Sequence, residues 1–265
     1  MISHHHHRPS SQVDLGFGSA KVLPSSAGVP LLSAFSDANC GTKAVLQAIK
    51  KALMDPAAGN DGILDIVEDE TVLEDVLVCA CYVTCDFPKD REQPARSLKS
   101  DKDAEAATDP VRLLGRDRAL KVPAACRHGV TECFFHPQSA ENHSCACDTL
   151  PEAFVRTLEL CPMDIRAQLV QNVVICGGLT EAILSVGGAT LRGLLPRLAL
   201  EVQKALQQHK APSSEVLVMA VGSVLSALAP KLRLTPVDFA PICAAWTGGA
   251  IYGSLEGVPD YSGLE

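Results

Sequence analysis

The run Val173-Val174-Ile175-Cys176, halted by Gly177-Gly178, constrains this chain more than any other stretch. Four apolar residues without polar alternation suit a buried strand, and a glycine pair at its end marks a turn into the next element. Helical patterns lie on both sides of it. Thr149-x-x-Glu152 is a capping box that opens a helix with Phe154, Leu158 and Cys161 along one side. Asp164 is expected to cap a short helix through Leu169, and Leu194 to Gln208 reads as a longer one. Strands that end in glycines and lead into helices give an α/β fold.

The N-terminal part repeats this logic. Val13-Asp14-Leu15-Gly16-Phe17-Gly18 followed by Ala20-Lys21-Val22-Leu23 reads as a hairpin, with Pro30-Leu31-Leu32 as a further strand. Thr42 to Met54 is an amphipathic helix in which Leu46, Ile49 and Leu53 share a face, and Pro56 stops it. Asp69 to Ala80 is a second helix, carrying Val72, Leu73, Val76 and Leu77 at helical spacing. Leu232 to Leu234 and Ile242 to Trp246 are read as strands, the latter ending in Gly248-Gly249.

Two regions lack such patterns. Residues 1–10, with the run His4 to His7, read as an unstructured leader or tag. Residues 88–109 mix charges with Pro, Ser and Ala and show no apolar period, which predicts a solvated linker or loop. With 265 residues and 47% apolar content the chain can build a sizeable core. A net charge of −8 argues against a nucleic-acid partner. The longest apolar candidate, Val216 to Ala229, falls short of the roughly 20 residues of a membrane span, so a soluble protein is expected. The eleven cysteines are odd in number and scattered through apolar runs, which favours reduced thiols in the cytosol.

Glycines at strand ends carry a possible chemistry. A turn of the form Asp-x-Gly-x-Gly brings bare backbone N–H groups against a phosphate, and a buried strand ending in Gly-Gly lets an adenosine lie on the backbone. The candidate nucleotide-binding residues are therefore Asp14, Gly16 and Gly18, with Gly177 and Gly178; a plain tight hairpin is the alternative. Gly187-Gly188 is a second candidate for the adenosine position, since Leu179 to Val186 reads as an insertion. The apolar stretch Ser214 to Pro230 also stands outside the pattern.

The order of these motifs resembles the actin family. Asp14 to Gly18 is similar to its second phosphate loop, and Asp75 to Val83, ending Cys81-Tyr82-Val83, to its Cys-Tyr-Val helix. Leu113 to Pro137 tracks a segment that passes through a two-stranded turn to Phe-x-Pro. Cys161-Pro162-Met163-Asp164-Ile165-Arg166 through Gly177-Gly178 resembles the adenosine strand with its preceding helix, and Ala245 to Leu255 the C-terminal Trp-x-Gly-Gly segment. The resemblance implies an actin-like (ribonuclease H-like) half: a mixed sheet flanked by helices, with a small helical lobe. It starts where the second half of the pattern starts, so 11–87 holds the beginning of that half with the lobe, 88–109 the linker, and 110–265 the remainder. Within the family the likeness leans toward the dynactin branch, through Glu68 to Val83, Leu160 to Leu169, Gly193 to Leu198 and Gly257 to Tyr261. That implies a cytoplasmic, cytoskeletal structural subunit with other dynactin subunits as partners, including its actin-related filament and pointed-end proteins, and neither nucleic acid nor membrane.

Departures from the family pattern argue against catalysis. The acid that holds the divalent cation's water shell is replaced by Phe17, the residues on base and ribose by Leu77 and Val78, and the basic residue before the tryptophan by Ile242. An apolar side chain cannot orient a metal-bound water or bond a ribose hydroxyl. The expectation is no catalytic residue, no metal site and no cofactor, with residual ATP binding as the alternative. A different alternative is zinc, because Cys126, His128, Cys133, His136, His143, Cys145 and Cys147 crowd one stretch, although their spacing is poor for it.

Overall fold

A computed structural model describes residues 8–55, 68–81, 83, 110–112, 119–137, 147–179, 194–208, 225–235 and 243–254. The linker at 88–109, Gly187-Gly188, the run 214–224, Ile242, and His143 with Cys145 lie outside them.

Alternating burial builds the first hairpin. Strands β1 (Ser10–Leu15) and β2 (Ala20–Ser26) pair antiparallel from Ser10↔Ser25 to Leu15↔Ala20. Ser11, Val13 and Leu15 point to one face and are buried, as are Ala20 and Val22 of β2. Pro9 is buried and Ser10, the last residue of the expected leader, already pairs with Ser25. The outer edge of β2 is shared by β3 (Val29–Pro30) and β4 (Ser36–Ala38), both antiparallel to it. Ala27 and Gly28 turn β2 into β3 with φ of 53° and 79°, the left-handed two-residue loop that matches strand twist. The expected strand at Pro30-Leu31-Leu32 ends at Pro30. Leu32–Ala34 is a 3-10 turn with Leu32 exposed: residues 31–35 loop out opposite Leu23 and Pro24 before β4 resumes pairing with β2 in the same direction as β3.

Strand β7 (Val173–Cys176) joins the other side of β1 in parallel, Ser11↔Val173 through Asp14↔Cys176, and β8 (Leu234–Thr235) pairs parallel beyond it. The sheet is mixed, in the order β3-β2-β1-β7-β8 with β4 also on β2. Its apolar face carries the helices α4 (Leu150–Leu160) and α6 (Leu194–Gln208). Val13 and Val173 meet Leu150, Phe154, Leu198 and Val202 around a residual void of only about 10 Å³, a density close to that of protein interiors generally.

The capping box holds in altered form. Thr149 Oγ1 accepts from Glu152 N–H (3.3 Å), while the Glu152 carboxylate accepts from Asp148 N–H (3.1 Å), one residue before the cap. Helix α5 (Met163–Gln171) follows directly. Its N-cap is Pro162, without a side-chain bond, so Asp164 does not cap it as expected; Asp164 sits one position inside the first turn. Arg166 instead reaches back from α5, donating to the carbonyls of Cys161 and Glu159 (2.9 Å each) at the end of α4. That satisfies carbonyls a helix end leaves open and fixes the angle between the two helices.

A helical lobe packs beside the sheet. Helix α1 (Thr42–Leu53) buries Val45, Leu46, Ile49 and Leu53 against α2 (Glu70–Ala80), α3 (Ala124–Gly129) and the 3-10 stretch Val130–Phe134. Asp69 caps α2 by accepting from Thr71 N–H (3.0 Å). The short hairpin of β5 (Pro110–Arg112) and β6 (Ala119–Lys121) adjoins α2. Residues from Cys126 to Phe134, expected within a strand-and-turn segment, are helical, with Cys126 and all of Val130 to Phe134 buried. Lobe and sheet share one apolar core.

An ion-pair network fastens the lobe to α6. Glu132, almost wholly buried, holds Arg197 Nη2 at 3.3 Å and His136 Nε2 at 3.3 Å. Arg197 Nε reaches Glu201 (2.9 Å), which also holds Lys204 (2.9 Å), and the guanidinium lies 5.2 Å from the centre of the Phe135 ring. Removing the cation from such a pair strands a buried carboxylate. Arg197→Met should therefore lower the unfolding free energy by about 3 kcal/mol, the lower end of the usual range because His136 remains; urea denaturation of both proteins measures it.

Candidate functional site

Parallel strands β1 and β7 end side by side, and the five candidate residues follow from that. Asp14 lies opposite Cys176 in register, and Gly177 comes next. Gly177 has φ of +107°, a conformation natural only to glycine. A Cβ there would stand 2.5 Å from the Asp14 Oδ1 and 2.5 Å from the Leu15 carbonyl oxygen. The residues read from two distant parts of the sequence thus meet at the C-terminal edge of the parallel strands, where open α/β sheets hold their ligands. Gly178 is exposed beside them and opens the chain toward buried Leu179.

The hairpin turn at Gly16 to Ser19 is held from behind by α1. Thr42 N–H donates to the Gly16 carbonyl (3.1 Å) and Lys43 N–H to the Phe17 carbonyl (2.9 Å), with Thr42 Oγ1 adding a contact to Gly16 (3.3 Å). Gly41, the N-cap of α1, allows this approach: a Cβ on it would lie 2.6 Å from the Phe17 carbonyl oxygen and 2.8 Å from the Gly18 carbonyl carbon. Sequence reading missed Gly41, because its role depends on a tertiary approach and not on local spacing. Neither Gly16 nor Gly18 takes a positive φ, and Gly18 faces open space. The turn keeps its shape through the α1 contacts.

The electrostatics around Asp14 are sparse. Burial pushes the Cys176 thiol up from its ordinary pKa and Asp14 adds to this, against a hydrogen bond from Gln12 Nε2 at 3.2 Å. Cys176 is consequently a neutral neighbour to the carboxylate. Phe17 at the turn tip is 53% exposed. Leu77 is buried within the lobe core, among the α2 residues that face α1.

These residues fit a nucleotide with its divalent cation poorly. At Gly177 the direction a side chain would take is closed by Asp14 and Leu15, and the first N–H groups of α1 donate to the chain's own turn rather than outward. Phe17 offers no oxygen for a cation's water shell. No cluster of three or more His, Cys, Asp or Glu suited to a metal occurs among the described residues. Of the zinc candidates with described side chains, Cys126, Cys133 and Cys147 are buried in the apolar core and His136 pairs with Glu132. A cavity of about 490 Å³ lined by Arg8, Gln168, Gln171, Asn172 and Arg233 lies at the other end of the parallel strands.

The C-terminal junction differs from its expected form. Ala244–Gly253 is a helix, α7, not a strand leading into Gly248-Gly249, and Trp246 is 76% exposed. Ala244 and Ala245 before the tryptophan favour a helix and no period-2 pattern supports a strand, although Gly248 and Gly249 weaken the helix. Ile251 and Tyr252 are exposed as well.

Gly177→Ala should lower stability by about 2 kcal/mol or more, since left-handed strain alone costs roughly 1–2 kcal/mol and the close carbonyl adds to it. Gly18→Ala should change stability by less than about 0.5 kcal/mol, as expected at an open surface position. Thermal and urea unfolding of the pair measures the difference. Among the known families, the model described as Actin matches residues 10–261 of the chain.

Proposed function

The chain belongs to the actin family, and from that premise we propose that it is a non-catalytic structural member, of the kind represented by actin-related protein 10. In this reading it serves at the pointed end of the actin-related filament of dynactin, docks further subunits there, and supports dynein-driven transport along microtubules. Phe17 carries the non-catalytic part of the proposal: it stands exposed on the phosphate-loop turn at a position where family chemistry calls for an acid. Hydrolysis depends on positioned charge around the transferring phosphoryl group, and an aromatic ring supplies none. Buried Leu77 supports the same reading, because a side chain committed to the core cannot reach a base. The assignment to dynactin rests on the segment likenesses, such as Leu160 to Leu169.

Residual nucleotide binding is the second reading, favoured by one observation, the meeting of Asp14 with Gly177. Mass action separates the two. A nucleotide at about 100 times its Kd would stabilise the fold by roughly 2.7 kcal/mol. Melting midpoints with and without Mg-ATP should coincide, and phosphate release should stay at background. An upward shift with released phosphate overturns the non-catalytic reading; a shift without release favours residual binding. The chain, used as bait in cytosol, should capture dynactin subunits, and capture without them removes the assignment to that complex.

A further inference from the structure

Two guanidiniums without an internal partner line one cavity. Arg127, Arg156, Arg166 and Arg197 are each bonded within the chain. Among the described residues Arg8 and Arg233 have no ion pair or side-chain hydrogen bond. Both are exposed, and both line the cavity of about 490 Å³ at the N-terminal edge of the parallel strands. Gln168, Gln171, Asn172 and Thr235 complete it with amides and a hydroxyl, and no described carboxylate lines it. Asp164, the acid carried by α5, lies a turn before Gln168 and outside the lining. In a chain of net charge −8, a cavity with two cations and no acid is a local feature and not a general basic surface.

Strand order sets the spacing of the two charges. Arg8 precedes β1 and Arg233 precedes β8, with β7 between them. Two inter-strand steps place the entries of β1 and β8 roughly 10 Å apart. Asn172 stands at the entry of β7, between them. Backbone bonds lock the three entries together: Ser11 N–H donates to the Asn172 carbonyl (2.9 Å), Val173 N–H to the Arg233 carbonyl (3.1 Å), and Arg233 N–H to the Val170 carbonyl (3.0 Å). The Asn172 side chain is held as well, donating to the Pro9 carbonyl (3.4 Å) and accepting from the Thr235 hydroxyl (2.9 Å). Gln168 and Gln171 lie three residues apart on α5 and are neighbours on its surface. Sequence reading placed Arg8 in the leader and Arg233 inside a short strand, because only the parallel register brings them to one edge.

We propose that this cavity is a binding site for a small polyol or sugar carrying a phosphate at each end. Each guanidinium offers paired N–H donors to one phosphate. The amides between them both donate and accept, which suits the hydroxyls of the ligand body. The cavity volume lies within the range of small-molecule sites. Mg-ATP, with its phosphates at one end and partly neutralised by the metal, is not a ligand of this kind. The site lies at the opposite end of the strands from Asp14 and Gly177 and does not depend on any nucleotide there.

The test titrates the full chain with fructose 1,6-bisphosphate, fructose 6-phosphate and fructose by calorimetry at low salt. The bisphosphate should bind saturably at one site, the monophosphate roughly tenfold or more weaker, and fructose not measurably. Added salt should weaken the bisphosphate, because both arginines are exposed. Arg8→Gln and Arg233→Gln should each reduce the bisphosphate to about the affinity of the monophosphate, while Lys51→Gln, on α1 of the lobe, should leave it unchanged. Melting curves check that each variant folds, and the comparison of the three ligands on the unaltered chain stands without them. Vesicles of phosphatidylcholine with a phosphatidylinositol bisphosphate identify the source: capture that fructose 1,6-bisphosphate displaces supports a lipid headgroup as ligand, and soluble binding without capture supports a free one. Absence of saturable binding overturns the proposal, as does equal affinity for bisphosphate and monophosphate. Binding that survives both arginine replacements, or that Lys51→Gln weakens equally, overturns it too.

Discussion

Burial of one face of the mixed sheet under α4 and α6 is the interaction on which the rest depends. Val13, Leu15, Ala20, Val22 and Val173 form its floor, and Leu150, Phe154, Leu198 and Val202 its roof. Each fully buried aliphatic side chain contributes roughly 1.5–3 kcal/mol relative to exposure, so this layer outweighs any polar contact in the molecule. Everything at the strand ends inherits its position from it. Because Val13 and Leu15 must point down, Asp14 must point to the opposite face. Because β7 pairs in register with β1, Gly177 arrives against Asp14. The candidate site is thus a by-product of side-chain alternation and one parallel register.

Much of this was readable in advance, for definite reasons. The β1–β2 hairpin, α1, α2, α4, α6 and β7 carry strong periods or caps, and the structure places them within a few residues of expectation. Asp14 and Gly177 were each named as nucleotide candidates from a family likeness in motif order, while their contact comes from the register of β1 with β7. Three assignments failed where local signals were short or balanced. Leu32 is apolar and β-compatible, yet the outward loop between β3 and β4 leaves it exposed. The segment from Cys126 to Phe135 has buried residues at neighbouring positions, which no single period describes. Ile242 to Trp246 was read as a strand because of the glycine pair that follows, yet Ala244–Gly253 is a helix. The ion pair of Glu132 with Arg197 joins residues that no local pattern connects, and it had no sequence signal.

Polar chemistry in this chain is turned inward. The first N–H groups of α1 serve the hairpin turn, Arg166 serves the end of α4, and Arg197 serves Glu132 and Glu201. Groups of this kind, when left facing a cleft, are what bind anions or carboxylates. Committed to internal partners, they fix the geometry of helices against one another. The outward face of α7 has the opposite character: Trp246, Ile251 and Tyr252 are exposed and no charged residue lies between Ala244 and Gly253. The described part of the molecule therefore sets an interior whose arginines are committed to internal partners against one apolar outer helix.

The parallel pairing of β1 with β7 sets a clock on the birth of the protein. The partners lie about 160 residues apart, and a ribosome adds roughly 5–20 residues each second. The first hairpin thus waits on the order of ten to thirty seconds with one backbone edge unpaired. An unpaired strand edge is a template for any other strand that passes. Nascent chains of this protein present that edge far longer than a hairpin takes to form, which is microseconds. The hazard is one of production, invisible in the finished fold, and it calls for protection of the hairpin until Val173 to Cys176 emerges.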